Sequence, residues 1–156
     1  MPGPLDGYRI LDLSAVISGP FGTMILADQG ADVIKVEPPG TGDFTRVAGN
    51  RQGGLSASFL NNNRNKRSVV LDLKSAEGIE AVKRLAATSD VLVQNFRPGV
   101  MDRLGLGYEA IKQVKPDLVY FSISGFGQDG PWSHKPVYDP IIQAITGLCS
   151  VQGGAD

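Results

Sequence analysis

Five short apolar runs, separated by stretches with helical spacing, constrain this chain more than any other feature. They are Tyr8–Leu13, Asp32–Val36, Ser68–Leu73, Asp90–Gln94 and Leu118–Ile123. Each has strand length and is bounded by Gly, Pro or polar residues, as a buried strand requires. Between the first two, Phe21, Met24 and Ile25 form an apolar stripe. This predicts a helix over Pro20–Gln29, with Pro20 at N1 and Gly30 as its C′ stop. Ile79, Val82, Leu85 and Ala86 predict a second helix over Ala76–Ala87, with Ser75 as N-cap. Strand, helix, strand thus occurs twice, which is the pattern of crossover units in a parallel sheet. Leu118–Ile123 is the most β-prone run and predicts a central strand. Shorter helices are expected over Tyr108–Val114 and over Val137–Leu148, the latter with Asp139 as cap, Pro140 at N1 and Gly147 weakening its end. The chain is α/β.

The stretch Val91–Leu106, VLVQNFRPGVMDRLGL, breaks from buried strand into polar turn. Pro98 fixes its own φ and pushes Arg97 out of the α region, and Gly99 permits a sharp redirection into a short helical piece. An amide (Asn95), an aromatic face (Phe96) and two guanidiniums (Arg97, Arg103) therefore gather at a strand end, where ligand crevices of α/β sheets lie. Guanidinium forks suit phosphate, and a ring face suits an adenine or an apolar arm. The alternative is a solvated turn with Phe96 in the core.

Other segments leave two readings open. Pro38–Asn63 is long and irregular, hence functional or a solvated excursion, and within it Arg46 is a candidate anion contact beside Asp43 and Thr45. Arg64, Lys66 and Arg67 precede a strand, as a phosphate patch or as charges guarding a sheet edge. The glycine-rich loop Ser124–Pro131 follows a strand, so main chain there can lie against a substrate or move as a lid. It is no Walker loop. The first βα loop holds only Ser18-Gly19-Pro20-Phe21-Gly22, without the spaced glycines of G-x-G-x-x-G, so Glu37 at the second strand's end is weak evidence and NAD is not expected.

At 156 residues the chain fits one domain, and a net charge of −1 gives no electrostatic case for nucleic acid or an anionic membrane. One cysteine (Cys149) and one histidine (His134, read as a loop residue) argue against a disulfide framework and against a metal site. Neither a signal-peptide core nor an 18-residue apolar span is present, which leads us to expect the cytoplasm.

Taken in order, RILDLS…GP, ADVIKVEPPGTGD, NRNKRSVVLDLK, VLVQNFRPG, LVYFSISGFGQDGP and YDPIIQAITG resemble the family III CoA-transferases over essentially the whole chain. The resemblance implies a Rossmann-like open parallel sheet with helices on both faces, of which residues 1–156 are the N-terminal part of the CoA-binding domain. Further domains would lie outside this chain. It also implies a homodimer whose two chains interlink like rings. Matched residue by residue, CoA contacts fall on Val16, Ile17 and Ser18, on Leu71 and Lys74, on Asn95, Phe96 and Arg97, and on Arg103 and Leu104. Pro38 stands near where some members carry a nucleotide-contacting arginine. That leaves Arg46 or the Arg64–Arg67 cluster to substitute.

The chemistry the resemblance implies is covalent carboxylate catalysis. An aspartate attacks an acyl-CoA thioester to give a mixed anhydride, CoA thiolate returns to give an aspartyl-CoA thioester, and a carboxylic acid accepts the CoA. That aspartate is expected beyond Asp156, so no catalytic residue is assigned within the chain and the fragment alone is expected to be inactive. Tyr138 and Asp139 fall where members line the acyl pocket. Related α-methylacyl-CoA racemases carry a His-Asp pair there, and Tyr138 replaces the histidine that proton transfer would use. The expectation is thus an acyl-CoA:carboxylate CoA-transferase, with a racemase-type isomerase or a noncatalytic CoA-binding and dimerisation module as alternatives.

Overall fold

The computed structural model describes residues 2–153; the tail position Asp156 discussed above lies outside them. Its centre is a five-stranded parallel sheet in the order β5-β2-β1-β6-β7. These strands are β1 (Arg9–Asp12), β2 (Asp32–Glu37), β5 (Lys66–Val70), β6 (Val91–Gln94) and β7 (Val119–Ser122). A two-stranded ribbon, β3 (Arg51–Gln52) and β4 (Leu55–Ser56), stands apart. The helices are α1 (Ser18–Asp28), α2 (Ala57–Asn63), α3 (Ala76–Ala87), α4 (Val100–Arg103), α5 (Tyr108–Val114), α6 (Asp139–Ile145) and α7 (Leu148–Gln152). Helices cover both faces, α1 and α2 on one and α3 and α5 on the other.

Alternation along the strands explains the two layers. Leu11, Ile34, Val36 and Leu92 turn to the α3/α5 side, where they meet Val82, Ala86, Met101 and Ile111. Ile10, Val33 and Val93 turn to the other side and meet Ala27 of α1. Strands buried on both faces must be apolar at both phases, hence the near-continuous runs in sequence.

Several expectations are corrected. Helix α1 starts at Ser18, so Pro20 is its third residue rather than N1; its missing N–H still falls in the first turn, where no intrahelical partner exists. Strand β5 begins at Lys66 and ends at Val70, because the buried Lys66 ammonium anchors the ladder two residues before the expected start. Strand β7 is an edge strand and not a central one, and it leaves Val119 and Phe121 exposed. The long excursion is not wholly irregular. Asp43 caps a 3₁₀ turn over Phe44–Arg46, and the Ser56 hydroxyl accepts from the Phe59 N–H to start α2. The expected Val137–Leu148 helix divides at Gly147, whose φ is 79°. Asp139 is not its cap: Tyr138 holds that position without a side-chain bond, and the Asp139 carboxylate accepts from Gln143 one turn on. Helix α3 and its Ser75 cap stand as expected.

Candidate functional site at the carboxyl rim

Because the five strands are parallel, their carboxyl ends share one rim. Strand order reverses between β1 and β6, and there the chains leaving the two strands diverge and open a crevice. The β1 loop, residues 14–17, is fastened from three directions. The Asn95 carboxamide accepts from the Ala15 N–H at 2.9 Å and donates to the Ala15 carbonyl at 2.8 Å. The Lys35 ammonium donates to the Ser14 carbonyl at 2.8 Å. The Val16 N–H points to the Asp43 carboxylate at 3.3 Å. Between these anchors Val16 sits at φ 69°. A β-branched residue pays about 1–3 kcal/mol for left-handed backbone, and it stays there only because its surroundings over-determine it. Val16 and Ile17 are 38% and 56% exposed, so the loop presents apolar side chains at the start of α1, which has no side-chain cap.

Beneath the loop lies a buried polar layer contributed by β1, β2, β5 and the excursion. Asp12 accepts from the Ser14 N–H, from Thr23 of α1 and from the Lys66 ammonium at 3.0 Å. Lys35 and Asp43 pair at 3.0 Å with both side chains almost fully buried. Glu37 takes a bidentate fork from Arg46 at 2.6 and 2.7 Å, together with bonds from Ser68 and the Asp43 N–H. Burial is the largest influence on Glu37 and favours its neutral form. The Arg46, Ser68 and Asp43 hydrogen bonds together outweigh it and hold the carboxyl at about 2. Burial likewise lowers the Lys66 ammonium below the usual lysine range, with Asp12 opposing.

The β6 loop supplies the other wall. Gly99 has φ 77°, and a Cβ there would stand 3.3 Å from the Arg103 guanidinium, so Arg103 folds back over the turn. Arg97 borders two clefts. One, of about 200 Å³, runs between Asp102, Tyr108, Tyr120 and Ser122. The other, of about 80 Å³, is bounded by Asn95, Phe96, Ser124 and Lys135. Burial, with Asp102 adding to it, pushes Tyr120 up to about 12, so its hydroxyl is a neutral donor, given to the Leu106 carbonyl. Among the described residues Lys74, Arg97, Arg103 and Lys135 belong to no ion pair.

The expected contact residues therefore divide into groups. Asn95, Phe96, Arg97 and Arg103 sit together, and the Asn95 clamp ties Val16, Ile17 and Ser18 to them. Leu71, Phe96 and Leu104 pack against the same core cluster, so Phe96 spends part of its surface on packing. Lys74 is exposed on the same rim but leaves from edge strand β5, with two strands lying between it and β6. Tyr138 and Asp139 follow Val137, the last residue of the smaller cleft, and Tyr138 is 74% exposed. The substitutes suggested for an arginine near Pro38 are engaged elsewhere: Arg46 with Glu37, Arg64 with Asp28, and Arg67 with Asp32. For Arg64 and Arg67, exposed and paired at the sheet edge, the edge-guarding reading is the one the geometry favours, whereas Lys66 fits neither reading because its ammonium is buried against Asp12. Sequence reasoning missed Lys135, which stands 4.2 Å over the Trp132 ring at the mouth of the smaller cleft. The sequence offered only a lysine close to Trp132 and next to Pro136, with nothing to mark it as unpaired.

Among the described residues, no group of three His, Cys, Asp or Glu could hold a metal ion, and no helix is long and apolar enough to cross a membrane. The model of CoA-transferase family III matches residues 5–156. The chain belongs to that family. An acetyl-CoA:oxalate CoA-transferase of Acetobacter aceti is 51% identical over 99% of this chain and 40% of its own length. A succinyl-CoA:glutarate CoA-transferase of Mus musculus is 49% identical over 98% of this chain and 35% of its own. A CAIB/BAIF family protein from Brucella suis superposes with a TM-score of 0.94 at 42% identity, over 100% of this chain and 42% of that one. The chain thus spans about two fifths or less of the curated relatives' length. In this family III chain Arg97 borders both clefts described at the rim.

Proposed function

We propose that this chain holds a CoA thioester across the carboxyl rim, as the CoA-binding part of an acyl-CoA:carboxylate CoA-transferase. The observation that carries the reading is the company of Arg97, Arg103 and Lys135. They are three cations without carboxylate partners, set around one aromatic and amide-lined turn at the sheet's switch point. CoA offers phosphates for such cations, and its pantetheine arm suits the apolar ledge of Val16 and Ile17. On this reading Leu71, Lys74, Phe96 and Leu104 continue the contact surface toward β5, and Ser18 opens α1 against it.

The acceptor is a carboxylic acid, because the named relatives move CoA between acids such as acetate and oxalate, or succinate and glutarate. Tyr138 and Asp139 border the acyl end. The interlinked homodimer, the cytoplasmic location and the aspartyl-anhydride route belong to this proposal, which assigns no nucleophile within residues 1–156. The test is calorimetric titration with CoA. Arg97→Ala and Lys135→Ala are each expected to weaken binding about tenfold, as loss of a charge-assisted phosphate contact does. No heat and no competition with a fluorescent CoA analogue would sink the reading. In the whole protein, an α-deuterated 2-methylacyl thioester separates transfer from isomerisation: a transferase retains the label and a racemase washes it out.

A further inference from the structure

We propose that Asp43 is a positioning residue for CoA, acting through the backbone of Val16. The inference rests on the CoA-binding reading above. Asp43 lies in the long excursion between β2 and β5, far in sequence from the residues matched to CoA. Its carboxylate is 3% exposed and fully engaged. It accepts from the Thr45 N–H at 2.9 Å, the Thr45 hydroxyl at 2.8 Å, the Lys35 ammonium at 3.0 Å and the Val16 N–H at 3.3 Å. Its own N–H is fixed to Glu37, which Arg46 grips in turn. The carboxylate therefore has little freedom to shift, and what it holds at the surface end is, among the described residues, the one β-branched residue with a left-handed backbone.

A buried ion pair is a poor stabiliser compared with apolar residues of equal volume, since two charges must be stripped of water. A pair in this position has a second effect. Lys35 draws the Ser14 carbonyl inward while Asp43 draws the Val16 N–H, so both ends of a three-residue arc are pinned to one buried charge pair. Asn95 pins the middle. Left to itself Val16 would relax to negative φ and move the Val16–Ile17 ledge relative to α1 and Arg97. A substituent that contacts no ligand thereby sets where the ligand's apolar arm can lie.

The test is a double-substitution cycle on the full chain, combining Asp43→Asn with Val16→Gly. Glycine adopts positive φ without support, so it removes the need for the clamp. Asp43→Asn is expected to weaken CoA binding about tenfold beside Val16, and by less than about twofold beside Gly at position 16, the coupling expected of residues in one network. Amide hydrogen exchange without ligand is the independent readout. The Val16 amide should be protected in the wild type and exchange faster in Asp43→Asn, at a temperature where both proteins are folded. Equal losses of affinity in both backgrounds overturn the proposal, as does an unchanged Val16 exchange rate. If the wild type itself takes up no CoA, the parent reading falls and this one with it, whereas wild-type binding with equal losses removes this one alone.

Discussion

Asn95 is the residue on which the crevice closes. Both halves of its carboxamide are spent on Ala15, eighty positions earlier in the chain. Asn95→Ala is expected to cost about 1–3 kcal/mol in urea unfolding, since two partly buried groups of Ala15 lose their partners. The same variant should also weaken CoA, because the β1 loop loses its central anchor. Glu37 makes a second prediction at this scale. Its folded value of about 2 lies below the ordinary 4.5, so the unfolded chain binds the proton more readily. Its contribution is complete above about pH 4.5 and fades as pH falls toward 2, amounting at most to about 3 kcal/mol, the worth of that displacement. Arg46→Gln should lower stability at neutral pH and flatten that acid limb. Urea midpoints measured from pH 7 to 3 would show it, and an unchanged slope would refute the assignment.

At the scale of elements, β5 is tied to β1 by more than the ladders that run through β2. The Lys66 ammonium crosses to Asp12, the Pro20 carbonyl of α1 and the Asn63 side chain of α2. One side chain thus joins two strands and two helices. Lys66→Met alone leaves the Asp12 carboxylate buried without its cation, and is expected to cost about 3–5 kcal/mol. Asp12→Asn in the same chain should recover much of that loss, because the uncompensated charge is gone. Thermal unfolding of the three variants decides the matter, and a double variant no better than Lys66→Met would contradict it. The α4 turn depends instead on Gly99. Gly99→Ala forces a Cβ into left-handed backbone and against Arg103, with an expected cost of about 1 kcal/mol. Near-ultraviolet and unfolding measurements on that variant should show a local loss with the sheet intact.

On the scale of the whole molecule, the parallel sheet brings cations from separate loops to one rim. Phosphate held by exposed guanidiniums and ammoniums is screened by salt. CoA affinity is therefore expected to fall several-fold between low and high ionic strength, while binding of a pantetheine fragment lacking the nucleotide should barely change. Titrations of both ligands at two salt concentrations would show the contrast. An equal response of the two would place the nucleotide away from Arg97, Arg103 and Lys135.

Much of this was written into the sequence. Strand phases, α3 with its Ser75 cap, the Gly30 stop and the turn at Asn95–Gly99 follow from periodicity, capping and backbone sterics, all of which act over a few residues. The pairing of charges did not follow. Arg46, Arg64 and Lys66 look as available for phosphate as Arg97 does, and only the folded chain shows which cations already have a carboxylate. The left-handed Val16, the edge position of β7 and the place of Lys135 in the cleft were likewise settled by contacts between residues far apart in the chain. Local sequence fixes what each segment can become. The choice among solvated, paired and ligand-facing charges is made by which strand lands beside which, and that is decided by packing the whole sheet.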